Sequence, residues 1–112
     1  NGEDIGAEIE SIIEMAEALI NFDNKVAYNE FISKIEQMGY SEKDVKTKNR
    51  KSEYMELRRL ACYVLTEKCT LMAAAQLLGY TNHTTVWNNR KRFEELLSIG
   101  DPVACRLASE FI

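Results

Sequence analysis

One histidine, His83, stands in 112 residues, and the three cysteines, Cys62, Cys69 and Cys105, are odd in number and lack metal-ligand spacing. A structural zinc site needs four clustered ligands, so no metal site is expected. There is no Gly-rich phosphate loop, and His83 has no sequence-evident nucleophile beside it; neither an enzyme nor a cofactor is expected. No apolar run approaches the roughly 20 residues of a membrane helix. No signal-peptide pattern is visible, so the expectation is a reduced, cytoplasmic chain that does not enter membranes. It begins at Asn1, as a piece of a longer protein would. Strand-type alternation is scarce, which leaves helices.

Charge is present but divided. Residues 1–42 carry ten acids and two bases, a net of −8, and residues 43–112 carry twelve bases and eight acids, a net of +4, giving −4 together. Such asymmetry suggests an electrostatic division of labour. An acidic half repels phosphate at short range and should sit away from any face that meets DNA.

Taken in order, residues 3–20 have apolar positions at Ile9, Ile12, Ile13, Ala16, Leu19 and Ile20, the spacing of an amphipathic helix, with Glu10, Glu14 and Glu17 as an acid ridge. Asn21 to Asn24 reads as a turn, with Asp23 or Asn24 capping a second helix that ends near Met38 and Gly39. Tyr28, Phe31, Ile32, Ile35 and Met38 mark its apolar face. Residues 1–40 thus read as an acidic helical hairpin that either completes the core or offers a surface to a protein partner. Ser41-Glu42-Lys43-Asp44 has a capping pattern that a short helical turn would follow. Lys43, Lys46, Lys48, Arg50 and Lys51 then form a basic, non-periodic stretch that reads as an exposed loop.

From Ser52 or Glu53 to about Lys68 a helix is expected, with Tyr54, Leu57, Ala61, Val64 and Leu65 inward and Arg58 and Arg59 off that stripe. Thr70 caps a short helix, Leu71 to Leu78, whose small Ala73-Ala74-Ala75 permits close approach of the next. After Gly79, Thr81 or Asn82 caps a run from Val86 to Leu97. Val86, Phe93 and Leu97 point inward at 100° per residue, and Trp87 reads as a partly buried packing residue. Thr84, Asn88, Lys91 and Glu95 point outward, with Arg92 beside them. Gly100-Asp101-Pro102 breaks that helix and starts a last one with Val103, Leu107 and Phe111 inward. A short helix, a glycine turn and a helix whose start is rich in hydrogen-bonding side chains is the helix-turn-helix pattern, in which the second helix enters the DNA major groove.

Arg50 to Phe93 resembles the C-terminal DNA-binding domain of the bacterial replication initiator DnaA, a Trp-repressor-like helix-turn-helix. That family has a basic loop, a helix with Arg near its start and a recognition helix beginning Asp-His-Ser/Thr-Thr-Val; this chain has Asn82-His83-Thr84-Thr85-Val86, after Arg58-Arg59-Leu60-Ala61 and Leu78-Gly79 and before Lys91-Arg92-Phe93. It departs at Asn82 (an acid in the family), Thr81 (a basic residue) and Asn88-Asn89 (His-Ala). The resemblance implies sequence-specific binding of double-stranded DNA, by a monomer, in replication or transcription control. It implies base contacts from Asn82, His83 and Thr84, a base or phosphate contact from Thr85, a phosphate contact from Arg92 and a minor-groove contact from Arg50. Lys48, Lys51, Arg58, Arg59, Asn88 and Lys91 complete the expected DNA-binding set. The expected architecture is an all-α bundle of about six helices. It has a helix-turn-helix core over 41–112 and the hairpin over 1–40 packed on it. An alternative, favoured by the acidic hairpin and the acidic balance, is a helical protein-interaction module that keeps the helix-turn-helix shape without affinity for DNA.

Overall fold

A computed structural model of the chain describes residues 23–111. Among these residues there are six helices and no strand, an all-α bundle. We number them α1 (23–37), α2 (Glu42–Lys46), α3 (Ser52–Lys68), α4 (Leu71–Leu78), α5 (His83–Ser98) and α6 (Pro102–Phe111). None of them is long and apolar enough to cross a membrane.

The centre is α3, against which α2, α4, α5 and α6 all pack. Its sequence has neither Gly nor Pro and is rich in Leu, Glu and Arg, strong helix formers. Leu57, Leu60, Ala61, Cys62 and Leu65 are closed off from solvent. The sequence stripe placed Tyr54 and Val64 inward instead of Leu60 and Cys62; both are only partly buried. A helix covered from several sides buries a wider arc than a single stripe, and one apolar period cannot reveal how wide.

At the end of α3 the chain turns at once into α4, whose first turn is capped by Thr70: its hydroxyl oxygen accepts from the Ala73 N–H at 3.1 Å. Ala74 and Ala75 are buried and small, so α5 packs closely on α4. Gly79 ends α4 at φ +80°, a left-handed conformation that costs any side chain about 1–2 kcal/mol. The Tyr80 N–H then donates to the Ala75 carbonyl at 2.9 Å, closing the helix end. Asn82, not Thr81, is the cap of α5; its Oδ1 accepts from the Thr84 N–H at 2.8 Å. Val86 and Phe93 are fully buried and hold α5 on α3 and α4. Asp101 caps α6 through the Ala104 N–H at 3.0 Å, and Leu107 and Ala104 turn inward.

On the N-terminal side, Phe31 and Ile35 of α1 are closed off, and Phe31 meets Phe111 of α6 at 5.4 Å between ring centroids. The expected turn over 21–24 is not seen at its second half: Asp23 and Asn24 are already helical. Burial of the stripe Ala27, Tyr28, Phe31, Ile32 and Ile35 outweighs the modest helix propensity of Asp and Asn. Residues 3–20, with the acid ridge Glu10, Glu14 and Glu17, lie outside the described residues, and so does the pairing of the hairpin. Past Gly39, the Ser41 N–H donates to the Asp44 carboxylate at 2.8 Å and starts α2. The basic stretch is therefore half helical. Lys43 and Lys46 ride on α2, whose Val45 is buried, and only residues 47–51 form a loop. A lone Val in a basic run gives no period, which is why the sequence pattern missed this anchor.

Candidate nucleic-acid interface

The start of α5 presents polar groups because its anchors lie behind it. With Val86 inward, His83, Thr84, Thr85, Asn88, Lys91 and Arg92 are all exposed. Residues 83–93 contain three bases and no acid; Glu94 and Glu95 come only in the later turns. The unpaired N–H groups and the dipole of the first turn add positive potential at the same end. Asn82 gives its Oδ1 to the cap, which leaves its Nδ2 without a partner among the described residues.

Two contacts on the edges of the buried stripe fix the orientation of α5. Asn89 donates to the Tyr80 hydroxyl at 3.4 Å, tying the helix to its own turn. On the other edge Arg90 donates to the Thr66 hydroxyl at 2.9 Å and lies over the Tyr63 ring at 5.7 Å. Tyr63 in turn stacks on Phe93, centroids 5.6 Å apart. Beneath Tyr80 and Asn89 lies Cys62, whose thiol burial pushes up to about 12. It is not a reactive thiolate at neutral pH. All three cysteines are free, and no cluster of metal-binding side chains occurs among the described residues.

The basic loop is shaped by a side chain from α3. Arg58 forks onto it, donating to the Asn49 carbonyl at 2.9 Å and to the Thr47 carbonyl. Within the loop, Asn49 N–H donates to the Thr47 hydroxyl at 3.3 Å and Lys51 N–H to Asn49 Oδ1 at 3.0 Å. Lys48, Arg50 and Lys51 are exposed, and none is ion-paired among the described residues. The loop and the turn before α5 line one groove of about 420 Å³, which includes Lys46, Lys48, Arg50 and Arg58 on one side and Leu78, Gly79 and Tyr80 on the other.

The expected residues therefore fall into three groups. Lys48, Arg50 and Lys51 stand free on the loop, and Asn82, His83, Thr84, Thr85, Asn88, Lys91 and Arg92 on the exposed side of α5. Arg58 and Arg59 differ, since their guanidinium groups are engaged within the chain. Arg59 pairs with Glu56, which is only 5% exposed and whose Oε2 has no partner. Burial, partly offset by Arg59, raises the pKa of Glu56. Removing one partner of a buried pair costs roughly 3–5 kcal/mol, so Arg59 is held. Arg92 is paired too, with Glu95 at 3.3 Å, but both side chains are about half exposed. A pair of that kind is worth ~0–1 kcal/mol, and Arg92 can exchange it for a phosphate.

Trp87 is 50% exposed, as a partly buried residue at the edge of α5 would be. Its angle on the helical wheel lies between the core and the outer face. Glu56 was missed altogether, because a charged residue between Tyr54 and Leu57 carries no pattern that marks burial. No protein family, curated protein or solved structure matches this chain.

Proposed function

We propose that this chain binds double-stranded DNA sequence-specifically. The start of α5 lies in the major groove and the loop over 47–51 follows the backbone into the adjacent minor groove. The observation that carries the reading is the shared groove: the loop, through its unpaired Lys48 and Arg50, borders Leu78, Gly79 and Tyr80 at the turn that precedes α5. A helix start entering the major groove needs a second cationic element close by to fix its register on the backbone. In this reading Lys48, Lys51 and Arg92 meet phosphates, Arg50 enters the minor groove, and His83, Thr84 and Asn88 face base edges. Arg58 acts indirectly by holding the loop in shape. The motif's likeness to the DnaA C-terminal domain supports the same assignment and a cytoplasmic role in replication or transcription control, with a monomer on an asymmetric site.

The test is selection of bound duplexes from a random pool, followed by titration of the winners at several salt concentrations. Enrichment of one motif, with affinity falling steeply as salt rises, is expected. Absence of retention on any duplex at low salt would replace this reading with the protein-interaction module, which the net charge of −4 favours.

A further inference from the structure

We infer that Trp87 reads thymine, its indole meeting 5-methyl groups on the floor of the major groove. This rests on the DNA-binding reading and adds to it a base-contacting residue and the base it selects. Trp87 is the chain's single tryptophan, and half of it faces solvent in the second turn of α5. Elsewhere that helix is apolar only where it is covered, at Val86, Phe93 and Leu96, with Leu97 partly covered. Among the described residues the other exposed large apolar side chains are Val26, Met72 and Ile99, none of which is inside α5.

The surroundings of Trp87 indicate what meets it. At helical spacing its neighbours are His83 and Thr84 one turn before and Arg90 and Lys91 one turn after. All four are polar or cationic, and all but Arg90, which turns to Thr66 and Tyr63, are exposed. A protein partner's contact patch has several apolar residues at its centre, whereas Trp87 is the one exposed large apolar side chain of α5, with polar or cationic residues one turn before and after it. A major-groove edge matches that arrangement. It offers donors and acceptors at every base pair, and its one apolar group is the thymine methyl. Asn88, the next residue along the helix and exposed, has the amide that pairs bidentately with adenine, the partner of thymine. Together the two side chains select A·T pairs, with Trp87 responsible for the thymine.

The experiment uses the whole chain and a duplex selected by it from a random pool. Each thymine is replaced in turn by deoxyuridine, which removes only the methyl group. For the wild-type chain we expect one or two positions at which affinity falls about fourfold, the worth of one buried methyl. Trp87→Ala should bind the parent duplex more weakly and lose its response to deoxyuridine at those positions. Trp87→Phe should keep part of the response. Emission from Trp87 in the wild-type chain should change on binding the parent duplex. If the duplex is bound, yet deoxyuridine has no effect at any position and the emission is unchanged, Trp87 is not a base reader, while DNA binding stands. If no duplex is bound, both the inference and the reading beneath it fall. Should Trp87→Ala fail to fold, Trp87→Phe and the Trp87 emission carry the assignment, and a wild-type scan without any deoxyuridine effect overturns it.

Discussion

Arg58 and Arg59 are neighbours in sequence with separate roles. The guanidinium of Arg58 bridges two carbonyls of the loop, Thr47 and Asn49, a fork that a lysine ammonium cannot span. Arg58→Ala and Arg58→Lys should both loosen residues 47–51, seen as faster amide exchange there. Loss of the charge-assisted bonds should lower the unfolding free energy by about 1–3 kcal/mol in the Ala variant. Unchanged exchange in both would show that the loop holds its own shape. Arg59, by contrast, is bound to Glu56 in the interior. Because burial raises the pKa of Glu56 above its ordinary 4.5, the folded state holds that proton more tightly than the unfolded chain. Its contribution is then fully present below pH 4.5 and is lost as pH rises through the raised value. The stability difference between wild type and Glu56→Gln, measured by urea unfolding across pH 4 to 8, should shift against the wild type as pH rises. A difference that moves in its favour would place the Glu56 pKa below 4.5.

At the level of elements, the caps of α4 and α6, and that of α5 to within one residue, were legible because they are local chemistry: Thr70, Asn82 and Asp101 each accept from the first turn of the helix they begin, although α5 starts at His83, ahead of the apolar run from Val86. So was the polar side of α5, since Val86 and Phe93 fix its rotation. What was not legible depends on neighbours distant in sequence. Val45 and Glu56 are decided by which helices cover them, and periodicity gives an angle but not a partner. The same holds for the partners of Arg58: its place off the apolar stripe put it in the expected DNA-binding set, and the loop folds back onto its guanidinium. The turn before α5 gives a further test. Gly79 has open space where a Cβ would stand, so Gly79→Ala meets strain without a clash. It should destabilise the chain by about 1–2 kcal/mol in thermal or urea unfolding. No loss would mean that the φ of +80° at this position is not needed to bring α5 back over α4.

For the whole molecule, the run over 83–93 has three bases and no acid, and the loop over 47–51 has three bases unpaired among the described residues, while the sequence gathers ten acids before residue 43. On the proposed reading, DNA is bound in one orientation, with affinity dominated by the loop and specificity by the helix. The most direct measurement compares His83→Ala and Arg92→Ala with wild type on a selected duplex and on random duplex, over a range of salt. Arg92→Ala should weaken both duplexes alike and reduce the salt slope by about one. His83→Ala should cost about 1–3 kcal/mol on the selected duplex, leave random duplex nearly unaffected and keep the slope. Equal weakening of both duplexes by His83→Ala would contradict base reading by α5, and no change from either variant would contradict the interface itself.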